Sequence, residues 1–454
     1  MKNTQTAIKR VVLLLTLSFL FVAHCAAQEI APKLDEYMSA LAKQSRFSGS
    51  VLVARDGKVI LSKGYGLANV EWDIPNTPQT KFRLGSITKQ FTAASILLLQ
   101  ERGKLSVQDP ICKYFTDCPS AWSEITLHHL LTHTGGVPNY TSFPDFLKTM
   151  PIRVTVDELI ARFKDKPLDF KPGEKWNYSN SGYELLGYVI EKLSGQTYEQ
   201  FLQENIFGPL RMTSSGYDHY DRIIKQRATG YSRQGNNLVN SAYLDMTIPY
   251  AAGSLYSTVE DLNLWNQSLF GGKLLAAKSL EAMLTPDKNN YAYGLIVNQQ
   301  FNRKIVNHGG GINGFSTSLT YFPDDKLTIV VLRNSDGGAP PPGAISRDLA
   351  AIVFGEKYEI PRERVEVKVD PKIFDAYVGQ YQLTPNIVFT ITREGDRLMA
   401  QPTGQGKVEL HPESETKFFI IEVDAQITFV KDSQGQVTQL IFNQGRDAVA
   451  KKIK

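Results

Sequence analysis

A chain of 454 residues with 42% hydrophobic and 21% charged residues has the composition of ordinary globular protein, and it is long enough for roughly two to four domains. The formal net charge of +4 is small for this length, and no dense Lys/Arg block with interleaved aromatics occurs. Nucleic acid is therefore not an expected partner.

The chain opens with Lys2, Lys9 and Arg10 before an apolar run from Val11 to Ala23, and Cys25-Ala26-Ala27 then supplies small residues ahead of Gln28. This is the pattern of a signal peptide over residues 1–27, with cleavage after Ala27 and an exported, periplasmic or secreted product. The run has roughly a dozen strongly apolar residues against the ~20 of a spanning helix, so no transmembrane segment is expected after signal removal. Bulky His24 argues against lipid attachment at Cys25. Loss of the leader leaves Cys112 and Cys118, an even pair that reads as one local disulfide in an oxidising compartment and as two free thiols otherwise. No further ligands are spaced nearby as a zinc ribbon requires, so no metal and no cofactor are expected.

In chain order, Leu34 to Leu41 has helical spacing, and the runs Ser50 to Ala54 and Val59 to Lys63 flank a turn at Arg55-Asp56-Gly57-Lys58. Ser86 begins a long apolar helix that Gly103 ends. From Ile125 to Tyr250 the pattern is mainly helices and loops, with Leu185, Leu186, Val189, Ile190 and Leu193 on one face before the terminating Gly195. Strands return near Tyr293 to Asn298, Ser316 to Phe322 and Leu327 to Leu332. Strands at both ends of a helical middle describe an α+β or α/β/α domain whose sheet joins distant sequence.

After Phe354 the composition shifts. Residues 355–370 read as a charged, proline-bearing linker between a domain over 28–354 and a β-rich domain over 371–454. Candidate strands there are Gly379 to Leu383, Ile387 to Thr392, Arg397 to Gln401, Phe418 to Val423, Ile427 to Lys431 and Val437 to Asn443. Such a meander closes most easily as a small antiparallel barrel.

Three short motifs carry chemistry. In Ser86-Ile87-Thr88-Lys89, two side chains three apart share a helical face, so a desolvated Lys89 can take the proton from the Ser86 hydroxyl. The structural alternative is an N-cap serine followed by a surface lysine. Ser414-Glu415-Thr416-Lys417 has the same pattern in a β segment, with no helix to align it. Tyr178-Ser179-Asn180 sits in a loop after Pro172-Gly173 and before a helix starting near Gly182, where a phenol can shuttle a proton and an amide can bind substrate. A buried tyrosine beside a capping asparagine would look the same.

In His308-Gly309-Gly310-Gly311, the glycines let substrate approach backbone N–H groups that hold an oxyanion; the alternative is a glycine-rich β-turn. A competing His133-Thr134-Gly135 looks like a helix C-terminal turn. His129 and His133 lack the glutamate of a zincin pair and read as core or capping residues.

Together, Ser86-x-x-Lys89, Tyr178-x-Asn180 and His308-x-Gly310 resemble the three signature motifs of serine β-lactamases and penicillin-binding proteins, and Tyr-x-Asn is similar to the class C, DD-peptidase and esterase branch. The likeness runs from about Phe47 to Asn334. It implies an antiparallel-sheet domain packed on a helical subdomain, and two-step acyl transfer. Ser86 is then the nucleophile, with Lys89 and Tyr178 managing its proton. Asn180, His308, Gly310 and Gly311 bind the substrate and, with the Ser86 N–H, the oxyanion. His-Gly-Gly replaces the Lys-Thr-Gly of efficient class C β-lactamases and looks like peptidase and esterase relatives. The tail is similar to lipocalin-like barrels appended to some of those peptidases.

The expected partner is a small-molecule or peptide substrate. The functional alternative is an envelope sensor that is acylated without efficient turnover. No Gly-x-Ser-x-Gly elbow supports an α/β hydrolase.

Overall fold

The computed structural model describes residues 30–234, 237–362, 365–420, 425–444 and 447–454. The expected leader with Cys25 and the end of the expected strand Phe418 to Val423 lie outside the described residues. The chain forms two compact units. One comprises the described residues as far as Ser232 with Asn240–Asp336 and Ile345–Ile360, and the other comprises Arg233–Val239, Gly337–Ala344 and Pro361–Lys454.

In the first unit a helix α1 (30–43) precedes the hairpin of β1 (Gly49–Arg55) and β2 (Lys58–Tyr65), whose turn residues Asp56 and Gly57 both have positive φ. Four later strands complete the sheet: β3 (Ile296–Gln300), β4 (Arg303–Ile312), β5 (Phe315–Phe322) and β6 (Leu327–Arg333). The order is β3-β4-β5-β6-β1-β2, every neighbour antiparallel, so the sheet does join the two ends of the unit. Residues 303–312 were not expected as a strand, because three consecutive glycines depress β propensity; pairing of 306–312 with β5, and of 303–307 with β3, overrides it.

Alternation assigns the two faces of the sheet. Val51, Val53, Ile329 and Val331 pack with Leu34, Met38 and Leu41 of α1 and with Ile345 and Leu349 of a late helix, Pro342–Phe354. Leu52, Ala54, Val330 and Leu332 face the larger helical core. A one-residue slip would exchange the two sets, so the register is fixed by burial on both sides.

Inside that core lies α2 (Thr88–Glu101), buried on every side from Thr88 to Leu99. Its polar residues must then find partners. Thr92 Oγ1 donates to Ala251 O, Ser95 Oγ donates to Phe91 O, and Gln90 Oε1 accepts from Trp265 Nε1. Packed beside it are α3 (Leu127–Leu131), α4 (Asn180–Ser194), α5 (Tyr198–Leu202) and the single turn α6 (Tyr250–Gly253). As expected, Gly195 ends α4 in the left-handed conformation.

The second unit holds a closed antiparallel barrel: β7 (Gly379–Thr384), β8 (Ile387–Glu394), β9 (Arg397–Pro402), β10 (Val408–Pro412), β11 (Lys417–Ile420), β12 (Ala425–Lys431), β13 (Val437–Asn443) and β14 (Asp447–Lys452). β10 and β14 escaped the sequence reading; one ends in proline and the other carries Asp447, Lys451 and Lys452. Inward residues fill the barrel, with Tyr377 stacked on Phe429 at 4.2 Å and flanked by Phe418.

Candidate active site

Ser86 lies on a single 3-10 turn, Gly85–Ile87, that runs directly into α2. Three residues on, Lys89 shares its face. Lys89 Nζ is 3.2 Å from Ser86 Oγ, 2.8 Å from Asn180 Oδ1 and 2.9 Å from Ala252 O. The lysine is fully buried, and burial pulls its ammonium down to about 7 while Glu184 pulls in the other direction.

Asn180 is the first residue of α4, so the helix starts two residues earlier than expected and the second motif straddles a loop and a helix end. The Asn180 N–H donates to Asn139 Oδ1 and its Nδ2 to Thr141 Oγ1, which orients the amide with its oxygen toward Lys89. Upstream, the loop is tied along residues 133–136: Asp169 N–H donates to Gly136 O, Gly173 N–H to Thr134 O and Asn177 N–H to His133 O. Ser179 N–H donates to His133 Nδ1, which leaves the ring proton on Nε2.

The His133 ring lies 4.2 Å from the Tyr178 ring, and Lys89 Nζ lies 4.8 Å from the same phenol ring. The Tyr178 hydroxyl is buried without a hydrogen-bond partner. Burial pushes that phenol up, and Ser86 is close enough to act in the opposite direction without reaching hydrogen-bond geometry.

The third motif is a strand, not a turn, and the structure revises two expectations about it. Gly310 does not leave room for substrate: a Cβ there would stand 1.9 Å from Leu84 O and 2.3 Å from Thr317 Oγ1, so the missing side chain is the space in which the turn preceding Ser86 packs. Thr317 Oγ1 donates to that same Leu84 O. His308 is buried, its Nδ1 donates to Gly309 O at 2.6 Å and its Nε2 accepts from the Tyr291 hydroxyl at 3.0 Å, so neither ring nitrogen remains to bind substrate. Burial and then Lys89 pull His308 down to about 4, which makes it neutral at pH 7. Gly311 differs: a Cβ there would meet open space, while Gly85, at φ +55, is close-packed against the Gly311 backbone.

A family model described as beta-lactamase matches residues 31–353, and one described as a domain of unknown function (DUF3471) matches residues 363–452. Penicillin-binding protein 4* of Bacillus subtilis (strain 168) is 28% identical over 450 residues, covering 93% of this chain and 98% of the relative. The structure of the octameric penicillin-binding protein homologue from Pyrococcus abyssi superposes with a TM-score of 0.67 at 28% identity, covering 92% and 99% of the two chains. That of a D-stereospecific amidohydrolase from Streptomyces sp. gives 0.59 at 25%, covering 70% and 97%.

The chain belongs to the beta-lactamase family. It is a serine hydrolase.

Several residues of this beta-lactamase-family site were not found by sequence reading. His133 was noticed as a turn residue, and its φ of +58 fits that reading, but its grip on Ser179 is a tertiary contact that no local spacing encodes. Ala252 contributes only a carbonyl. Gly294, at φ +69, admits the Lys89 carbonyl, which a Cβ would approach to 2.6 Å. Glu184 lies on α4 away from the Leu185, Leu186, Val189 and Ile190 face, where an acidic residue reads as solvated, and only the fold buries it.

Cys112 and Cys118 are joined in a disulfide. The lone-motif control behaves as expected: Ser414 lies between β10 and β11, where its Oγ accepts from Lys417 N–H.

The packing at Gly310 leads to a paired prediction. Gly310→Ala should lose most labelling by a serine-reactive acyl probe and lower the thermal midpoint, because its Cβ collides with backbone. Gly309→Ala, whose Cβ would sit 3.6 Å from Thr317 O, should retain both. Equal labelling of the two variants would remove the close-packing role from Gly310.

Proposed function

We propose that this chain is an exported hydrolase that forms an acyl-enzyme at Ser86 from D-amino-acid amides, peptidoglycan-type peptides or small esters, with only weak turnover of β-lactams. The observation that carries the reading is the buried Lys89 amine, held between Ser86 Oγ, Asn180 Oδ1 and Ala252 O. A fixed, desolvated amine is what a serine needs to become a nucleophile at neutral pH.

In the proposed first step Ser86 Oγ attacks the substrate carbonyl carbon while its proton passes to Lys89 Nζ. Tyr178, with its hydroxyl otherwise unpartnered, relays a proton to the leaving nitrogen or oxygen as the acyl bond to it breaks. Water attacks the acyl-enzyme in the second step, and the same groups return the proton to Ser86. The oxyanion is assigned to the N–H groups of Ser86 and Gly311. Ile312 pairs with Phe315 across a two-residue turn, so hydrogen-bonded pairs alternate and the Gly311 N–H points away from β5. On that side β3 reaches only as far as Asn307, which leaves the Gly311 N–H on an open edge beside Gly85.

Two further observations support the substrate class. At pH 7 the third motif presents a neutral histidine where efficient class C β-lactamases carry a lysine, so no second cation recognises the anionic group of a β-lactam. Relatives of similar fold include a D-stereospecific amidohydrolase and penicillin-binding proteins. Export is supported by the leader pattern of residues 1–27 and by the Cys112–Cys118 disulfide. No helix among the described residues is long and apolar enough to cross a membrane. We also assign the catalytic groups to residues 28–354 alone, with 371–454 as a separate barrel after the linker 355–370.

Three outcomes check this reading. Ser86→Ala should abolish both acyl-probe labelling and hydrolysis of a p-nitrophenyl ester and D-amino-acid amides, while Ser414→Ala changes neither; persistent labelling of Ser86→Ala would remove the nucleophile assignment. Tyr178→Phe keeps the ring and should lower turnover by ~10²-fold or more under conditions where chemistry limits the rate, and an unchanged rate there would make Tyr178 structural. A chain ending at Gly355 should fold and still be acylated at Ser86. If a soluble, folded truncation resists probes of every size, the barrel supplies part of the site.

A further inference from the structure

Glu184 is as completely buried as Lys89 and lies one turn after Asn180 on α4. Its Oε2 accepts the Ala251 N–H at 3.2 Å, and the next residue, Ala252, provides the carbonyl that receives Lys89. The carboxyl and the amine therefore hold adjacent residues of α6. Its other oxygen, Oε1, lies 3.2 Å from the Tyr140 hydroxyl.

Counting protons favours a protonated carboxyl at Glu184, and the contacts of Lys89 accommodate an uncharged amine beside it. Tyr140 has one hydroxyl proton, and a 2.5 Å contact with Ile248 O, which can only accept, claims it. The contact between Tyr140 and Glu184 then needs its proton from the carboxyl. At Lys89, Asn180 Oδ1 and Ala252 O are likewise pure acceptors, and an uncharged amine has two N–H bonds, one for each. Its lone pair is left for the third neighbour, the Ser86 hydroxyl. A protonated Glu184 beside an uncharged Lys89 thus satisfies every contact, whereas a carboxylate beside an ammonium leaves two oxygens without a proton between them at Tyr140.

We propose that Glu184 and Lys89 share one proton, and that Glu184, as a positioning residue, keeps Lys89 an uncharged amine facing Ser86 by holding that proton. Both placements of the proton leave the pair electrically neutral overall, but only this one avoids two separated charges in a water-free interior. Burial acts on the two groups in opposite directions, lifting the carboxyl to about 8 and drawing the amine to about 7.

Other titratable groups around the pair add no competing charge near neutrality. Tyr140, Tyr198 on α5, Tyr217 and Tyr250 on α6 face Glu184, and Tyr178 and Tyr183 face Lys89; burial pushes all six phenols up. Burial first and Lys89 second hold His133 and His308 down. Further out, Arg162 acts on Tyr140 and Glu191 on Tyr250.

This inference rests on the reading of Lys89 as the base for Ser86, and its test separates the two. Glu184→Gln can still accept the Ala251 N–H but cannot ionise. Gln carries no charge, as the protonated carboxyl carries none, so Lys89 should meet the same field in both enzymes. The acid limb of kcat/KM for a small p-nitrophenyl ester should therefore stay within about half a unit of its wild-type position. A limb that moves to lower pH by about one unit or more reports a carboxylate that had been holding an ammonium, and overturns the shared proton.

Should Glu184→Gln fail to fold, infrared spectra of the full chain decide. A protonated-carboxyl stretch at pH 7 that shifts in Tyr140→Phe is expected, and its absence overturns the proposal. Lys89→Met should be inactive. A Lys89→Met enzyme of wild-type rate would instead defeat the underlying assignment of the base, whereas a Glu184→Gln limb displaced downward by about one unit beside an inactive Lys89→Met defeats the shared proton alone.

Discussion

Burying one lysine amine is the constraint from which the rest of the catalytic unit follows. An amine with no water needs hydrogen-bond partners at fixed positions, and here they come from three separate elements: Ser86 at the head of α2, Asn180 at the head of α4 and Ala252 in α6. Each of those elements must in turn be held. Thr92 on α2 donates to Ala251 O, and Glu184 on α4 accepts Ala251 N–H, so α6 is pinned from both sides. Gly187 is the residue that lets α4 come so near, since a Cβ there would stand 2.5 Å from Ala251 Cβ and from the Tyr250 ring. The polar centre and the tight packing around it are thus one requirement.

A second close approach joins the helical core to the sheet. The turn before Ser86 lies against β4, and Gly310 and Gly85 are the positions where side chains would prevent it. This explains the glycine at 310, where any side chain would displace the turn that carries Ser86. It also places a neutral His308 where a lysine would bring a second ammonium toward Lys89. Like charges within a low-dielectric site disfavour one another, so the histidine leaves the ionisation of Lys89 to be set by burial and by Glu184.

The legibility of the molecule followed the range of its interactions. Hairpins, the α2 and α4 helices and six of the eight barrel strands were visible because hydrophobic period and turn residues are local properties. The β4 strand was hidden because its glycines serve a contact with residues more than two hundred positions away. The first two motifs were legible as patterns, and Ser86, Tyr178 and Asn180 do gather around the Lys89 amine. His133, Glu184, Gly294 and the Ala252 carbonyl were not: each acts through a partner fixed only by the fold, and a backbone carbonyl leaves no mark in the sequence at all. His308 is the converse, a residue found by its motif whose ring is satisfied within the protein.

The barrel invites a different argument. Closing the sheet through β7 and β14 removes the open edges that an isolated meander would expose. Its interior is occupied by Tyr377, Tyr381, Phe389, Phe418 and Phe429, with the Tyr381 hydroxyl donating to Tyr377 O and the Tyr377 hydroxyl to Glu415 O. Those two phenols are the interior's polar groups of largest reach, and both are spent on the barrel's own backbone. With its core filled by these side chains, the second unit still keeps a concavity at one edge, lined by Glu366, Lys368, Phe374, Arg397, Leu398 and Glu409, where core residues meet charged ones.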